Sequence, residues 1–278
     1  MKTIDTLIPD IEALFSGHEC SDELLDQFAE TLKSQIKENF KRYGEKRKGY
    51  LRMSNIGKPC GRFLWYETRD YEPEPLTPAT KFKFLYGHIL ESLVIYLAKE
   101  AGHEVADEQK RVEVDGIKGS LDCIIDGVLV DVKSASTYSF KKFKDGTLAD
   151  NDPFGYLPQI AGYRKAVEAE RTGFLAIDKT LGHLCFYEPE SLPEPSDVIS
   201  KARAAVNSEN PPERISGALV ADGKSGNMKL SAGCSYCGYK QECYKDSNDG
   251  KGLRTFLYSN GPVFLAEVKN EPRVPEVK

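Results

Sequence analysis

Two runs of β-branched and aliphatic residues, Leu121–Ile125 and Val128–Val132, flank the dipeptide Asp126-Gly127. A type I′ turn needs positive φ at both central residues, and Asp-Gly is one of the few pairs that accept it, so the spacing predicts a tight hairpin. That turn fixes the register. Ile125 faces Val128, Ile124 faces Leu129, Cys123 faces Val130, and Asp122 faces Asp131. Two carboxylates then stand opposite each other with Cβ atoms about 5 Å apart, and like charges so placed weaken a hairpin. The period of two puts Lys133 on the same face. Either the strand ends are wet and both acids are solvated, or a hard divalent cation such as Mg²⁺ takes their oxygens and removes the conflict.

The rest of the composition narrows the setting. No run approaches about 18 uninterrupted apolar residues, so no membrane span is expected. The start, Met-Lys-Thr-Ile-Asp-Thr-Leu-Ile-Pro-Asp, lacks the apolar core of a secretory signal. Seven cysteines in a chain of 278 residues read as reduced thiols or metal ligands rather than disulfides, which points to the cytoplasm. The net charge of −5 does not advertise nucleic-acid binding, but its distribution is uneven. From Lys33 to Arg62 ten basic residues, Lys46, Arg47, Lys48 and Arg52 among them, meet only two acids. Such a stripe is either a solvated helix face with a Lys-rich loop or a track for a phosphate backbone. Lys141 and Lys142 are further candidates for phosphate contact.

Along the chain, Thr6–Phe15 and Ser21–Phe40 read as amphipathic helices, the second with Ser21 as N-cap and Tyr43-Gly44 as its stop. Phe82–Ala101 is a strong helix with Phe84, Leu85, Ile89, Leu93, Val94 and Leu97 on one side and Gly102 as its stop. Gly87 in its middle costs up to about 1 kcal/mol relative to Ala, so another part of the chain is expected to come close there. Glu104–Val114 reads as one strand leading through Asp115-Gly116 into the hairpin, a three-stranded meander. Residues Tyr138–Pro153 read as polar and irregular, and Tyr156–Ala169 as a helix with Gln159 and Tyr163 on one face. Strands Gly173–Asp178 and His183–Tyr187 and a helix Ser196–Val206 follow. Strand, hairpin, crossover helix and strand make a mixed sheet with helices on its faces, an α/β fold. The tail after about Ser259 is expected to be loosely held.

Cys234, Cys237 and Cys243, interleaved with glycines, suit a backbone wrapped around a metal centre, zinc or iron–sulfur. The fourth ligand must be distant. Cys123 and Cys185 read as core, while Cys60, displayed between Pro59 and Gly61, and Cys20 both remain candidates.

Taken together, Cys60, Gly87 with Glu91 four residues on, Asp122, Asp131-Val132-Lys133, Gln159 with Tyr163 and the cysteine triplet resemble the PD-(D/E)XK nuclease superfamily. The closer likeness is to RecB-like exonucleases with a four-cysteine cluster, such as CRISPR-adaptation and helicase–nuclease exonucleases. The resemblance spans Ser54 to Cys243. It implies a restriction-endonuclease-like core at 51–245, with a helical, basic region at 1–50 and a partly flexible extension at 246–278. It implies that Glu91, Asp122, Asp131 and the Val132 carbonyl hold Mg²⁺ or Mn²⁺, with His88 a second choice to Glu91. Lys133 would orient the attacking water, and Gln159 and Tyr163 would contact the bound strand. Cys60 with Cys234, Cys237 and Cys243 would hold a structural [4Fe-4S] cluster, with zinc as the alternative. The activity implied is a metal-dependent DNA exonuclease acting on ends, on single strands, with unwinding left to a helicase or recombination partner because no Gly-x-x-x-x-Gly-Lys-Ser/Thr motif occurs. The alternative is a non-catalytic DNA-end-binding or adaptor protein that keeps the cluster as a scaffold.

Overall fold

The Asp126-Gly127 turn forms with φ of 49° and 79° at its two residues. The ladder it sets pairs Ile125 with Val128, Ile124 with Leu129 and Cys123 with Val130, and stops one step short of Asp122 and Asp131. The computed structural model describes residues 2–42 and 49–277. Lys46, Arg47 and Lys48, and the helix stop expected at Tyr43-Gly44, lie outside the described residues.

In chain order the helices are α1 (Leu7–Leu14), α2 (Asp22–Arg42), α3 (Met53–Ile56), α4 (Gly61–Glu67), α5 (Pro78–Glu100), α6 (Thr137–Lys144), α7 (Tyr156–Val167), α8 (Pro195–Asn207), α9 (Ala232–Ser235) and α10 (Lys240–Cys243). The strands are β1 (Val105–Ala106), β2 (Arg111–Val114), β3 (Ile117–Ser120), β4 (Cys123–Ile125), β5 (Val128–Ala135), β6 (Thr172–Asp178), β7 (Leu184–Tyr187), β8 (Leu219–Ala221), β9 (Met228–Leu230), β10 (Arg254–Tyr258), β11 (Gly261–Glu267) and β12 (Glu276–Val277). The chain divides into two compact units.

The first unit contains the N-terminal helices, Leu51–Gly57 and Thr77–Ser200. Its central sheet has the order β1-β4-β5-β6-β7. Only β5 and β6 run parallel, joined by a crossover through α6 and α7, so the sheet is mixed and flanked by helices. Val128, Val130 and Val132 on β5 face a core shared with Leu90, Val94, Ile95 and Ala98 of α5 and with Ile4, Leu7 and Ile11. Leu129, Asp131 and Lys133 alternate to the opposite face, where Lys133 meets Tyr156 of α7. Burying a hydrophobic side chain on each side is worth about 1.5–3 kcal/mol per residue, and this fixes which face the charged residues occupy. Ser21 caps α2 from its hydroxyl, 3.4 Å from the Leu24 N–H. Gly102, at φ 82°, follows the end of α5.

Several expectations are corrected. Glu104–Val114 is two strands, not one. Asp107 and Gln109 adopt positive φ and break it, leaving β1 on the central sheet and β2 paired only with β3 through a second Asp-Gly turn. Two such turns in succession each close their own hairpin, so no three-stranded meander forms. Residues Tyr138–Pro153 are not irregular. Ser136 caps α6, and Phe140 and Phe143, three apart among the lysines, are buried. Of the row expected on the apolar side of α5, Val94 is buried and Leu93 and Leu97 pack against the core, with Leu90, Ile95 and Ala98 joining them, whereas Phe84 is half exposed.

The second unit contains Lys58–Leu76 and the chain from Lys201 onward. Its sheet, β12-β10-β11-β9-β8, is antiparallel throughout. The tail after Ser259, expected to be loose, supplies β11 to this sheet, with Leu265 and Ala266 buried. Trp65 and Tyr66 of α4 pack with Tyr239, the Trp65 indole N–H donates to the Ser208 carbonyl at 3.0 Å, and Lys240 pairs with Glu74. No described helix is long and apolar enough to cross a membrane.

Candidate functional site

Asp131 and Lys133 project from β5 two residues apart, and they form an ion pair with Asp131 almost fully buried. Asp122, just before β4, turns its Oδ2 to the Val132 N–H at 2.8 Å, which supplies the hydrogen bond that the ladder no longer provides. Val132 itself is buried in the sheet. Glu91 comes from α5. The helix reaches the sheet closely at Gly87, where a Cβ would lie 3.2 Å from Ser134 Oγ. This close approach answers the mid-helix glycine.

The electrostatics bind these groups into one site. Burial pushes the Asp122 carboxyl well above its usual range, and the charges of Asp131 and Glu91 add to the effect. Burial also raises Asp131, with Lys133 opposing and Glu91 adding. For Lys133 burial disfavours the ammonium, but Asp131 and Asp122 outweigh it and hold the charged form above its ordinary value. Gln159 Nε2 donates to the Tyr163 hydroxyl at 3.4 Å. Burial raises Tyr163 to about 12, Gln159 opposes, and Asp131 and Asp122 add to the rise, so this face of α7 looks onto the acids. His88 Nδ1 lies 3.8 Å from Glu91 Oε2, on the flank of the site.

Two residues were not legible as site members. Tyr156 puts its ring 4.7 Å from Lys133 Nζ, a cation–π contact that holds the ammonium in place. Gln109, at φ 53°, donates its N–H to the Asp122 carbonyl at 2.9 Å and its side-chain Nε2 to Glu91 Oε1 at 2.7 Å. It links the loop bearing Asp122 to the helix bearing Glu91. A left-handed non-glycine residue is uncommon, and no sequence pattern announces it.

In the second unit, Cys60 is the N-cap residue of α4. Cys234 lies in α9, Cys237 follows it, and Cys243 closes α10. Burial pushes the Cys237 thiol up to about 12; the Tyr239 N–H opposes this, and Cys60, Cys243 and Cys234 contribute to the rise. Cys60 likewise acts on Cys234 and on Cys243, so the four thiols lie within electrostatic reach of one another. Arg62 and Arg214 lean the other way and favour a thiolate at Cys243. Cys20 is elsewhere, exposed beside Tyr96. Cys123 is fully buried and Cys185 partly so.

Among the described residues no three His, Cys, Asp or Glu side chains are set to hold a metal ion as they stand. Asp122, Glu91 and Asp131 are turned to Val132, Gln109 and Lys133, and burial holds the Cys234, Cys237 and Cys243 thiols above their ordinary range. The donor chemistry nonetheless fits. Asp122 and Asp131, buried and with Glu91 acting on both, suit a hard divalent cation, and grouped thiols beside arginines suit a thiolate-bound centre once protons are displaced.

Among the basic candidates, Lys141 and Lys142 are neighbours on α6 and Arg52 precedes α3. Arg52 Nε donates to Ser54 Oγ at 3.1 Å, Lys142 donates to the Asn151 carbonyl at 2.9 Å, and Lys141 is exposed.

No protein-family model matches the chain, and no curated protein matches it. Among solved structures it is similar to SSO0001, at 18% identity over 75% of this chain and 92% of that one, with a TM-score of 0.45. It is also similar to the alkaline exonuclease LHK-Exo from Laribacter hongkongensis, at 15% identity over 55% and 85% of the two chains, with a TM-score of 0.29. A phage-related exonuclease from Haemophilus somnus is similar at 14% identity over 55% and 77%, with a TM-score of 0.30. Identity and TM-score are low in each.

Because the Asp122 carboxyl is raised in the folded chain, its contribution to stability is fully present below the ordinary carboxylate range and is lost as the pH rises through its raised value. Asp122→Asn keeps an acceptor for the Val132 N–H and removes the repulsion. In metal-free protein at neutral pH it should stabilise the first unit by up to about 1 kcal/mol and flatten the loss of melting temperature with rising pH, both read by calorimetry.

Proposed function

We propose that the chain is a metal-dependent deoxyribonuclease that hydrolyses phosphodiester bonds from DNA ends, with single strands as substrate. The observation that carries this is the buried Asp131–Lys133 pair on the central strand of a mixed sheet, with Asp122 and Glu91 close enough to act on it. Structural stability alone does not call for Asp122 and Asp131 to be raised by burial with the Glu91 charge adding to the rise.

Glu91, Asp122, Asp131 and the Val132 carbonyl would hold Mg²⁺ or Mn²⁺. Such an ion supplies a water of lowered pKa and charge neutralisation at the scissile phosphate. Lys133, held charged by its acid neighbours and fixed by the Tyr156 ring, orients the attacking water and offers a proton donor to the phosphoryl oxygens. Tyr163 stays a neutral hydroxyl donor at physiological pH and, with Gln159, positions the strand. Gln109 orients Glu91 from outside the ligand set. In the second unit Cys60, Cys234, Cys237 and Cys243 would hold a [4Fe-4S] cluster that ties two segments distant in sequence into one body. Zinc on the same thiols is the competing reading.

Lys133→Met and Asp131→Ala should each lower release of nucleotides from end-labelled single-stranded DNA in Mn²⁺ by at least about 10²-fold, with DNA affinity in Ca²⁺ within about twofold of wild type. Full cleavage by either variant would remove the assignment. Protein purified without oxygen should contain iron and acid-labile sulfide with little zinc by elemental analysis. Cys60→Ser should lose that iron and melt at lower temperature, whereas stoichiometric zinc in the wild type would decide for zinc.

A further inference from the structure

Tyr244 directly follows the last cysteine of the chain. Its ring is 2% exposed and packs with Leu230 and Leu253 in the second unit, where Cys234 and Cys243 lie against the same cluster. A tyrosine buried so deeply takes its hydroxyl with it, and such a hydroxyl ordinarily finds an acceptor. Here it is buried with no hydrogen-bond partner among the described residues. What it faces is sulfur. The Cys234 thiol lies within reach of it, and Cys243 is close enough to act on it as well. A thiol is a weak acceptor and leaves the donor unsatisfied, whereas a thiolate is charged and accepts strongly.

The surroundings hold the ring in this pose. Arg214 lays its guanidinium over it, 4.4 Å from the ring centroid. The same guanidinium donates from Nε to the Cys243 carbonyl at 3.2 Å and pairs with Asp246. Arg62, two residues after Cys60, donates to the Pro212 carbonyl at 3.3 Å, which brings a second guanidinium to the segment that carries Arg214. The two cations oppose one another, and Cys243 favours both. Like charges set together in a half-buried place work against folding, and so does an orphaned donor. Negative charge on sulfur answers both. Four thiolates around a zinc ion or an iron–sulfur core carry more negative charge than the metal cancels.

We propose that Tyr244 is a positioning residue of the thiolate centre, its hydroxyl donating to the Cys234 sulfur once a metal is bound, with Arg214 holding the ring for that contact. Arg62 and Arg214 offset the negative charge that remains around Cys243. The hydroxyl serves zinc and iron–sulfur alike, because it acts on a ligand sulfur and not on the metal. This deepens the reading of Cys60, Cys234, Cys237 and Cys243 as metal ligands and rests on it.

The test compares the full chain with Tyr244→Phe, which keeps the ring under Arg214 and removes only the donor. Both are purified without oxygen, and transfer of metal to a chelator is followed with time, bathophenanthroline for iron and 4-(2-pyridylazo)resorcinol for zinc. Tyr244→Phe should lose its metal at least about tenfold faster. Stripped of metal, it should melt at the wild-type temperature or above, since the orphaned donor is gone. With iron in the centre, its reduction potential should fall below that of wild type, because a hydrogen bond to sulfur eases the uptake of an electron. Arg214→Gln, which frees the ring and removes a charge, should also speed the loss, and Arg214→Lys should recover part of it. Metal loss from Tyr244→Phe at the wild-type rate overturns the proposal. So does metal-free Tyr244→Phe that melts below wild type, which would mean that the hydroxyl is bonded within the protein. Wild type that carries no metal, and takes up neither Zn²⁺ nor iron with sulfide, fails the metal reading itself. The metal content of the wild-type protein tells the two failures apart.

Discussion

The ion pair between Asp131 and Lys133 is the constraint on which the first unit turns. Both groups sit on a buried strand and pay for desolvation, and each keeps the other charged there. Removing either leaves an unpaired charge in a half-dry place. The mixed sheet makes this tolerable by packing Val128, Val130 and Val132 against α5 on one face, so that the opposite face can be given to polar groups. What stays unresolved within the protein is the excess of negative charge. One ammonium stands against Asp131, Asp122 and Glu91, and Asp122 is pushed up by burial first and by its acid neighbours second.

The hairpin was legible because its information is local. An Asp-Gly dipeptide between apolar runs fixes register within a few residues, and the pairs from Ile125–Val128 to Cys123–Val130 follow from it. The α/β class followed from the same alternation. Gln109 was invisible because its role depends on a left-handed backbone and on two partners brought near only by the fold. Helix α6 was hidden by its lysines, which mask an apolar pair three residues apart. The sheet of β8 to β12 was missed because its short strands show little alternation, and its stability comes from partners far along the chain.

The second unit follows a different logic. Its thiols are gathered by the cap of α4 and by two short helices of four residues each, elements too short to hold themselves together. Aromatic packing of Trp65, Tyr66 and Tyr239 supports them, and Arg214 donates to the Cys243 carbonyl at 3.2 Å from its Nε. Burial holds the Cys243 thiol above its ordinary value, and Arg62 and Arg214 beside it work against that rise.

The most direct measurement of the central claim is a calorimetric titration of Mn²⁺ into the metal-free chain, compared with the Asp131→Asn/Asp122→Asn double variant. The account predicts that wild type takes up Mn²⁺ at the acid site with release of protons, because raised carboxyls must ionise to bind it. The double variant should lose that uptake. Equal uptake by both proteins, or none by wild type, would contradict it.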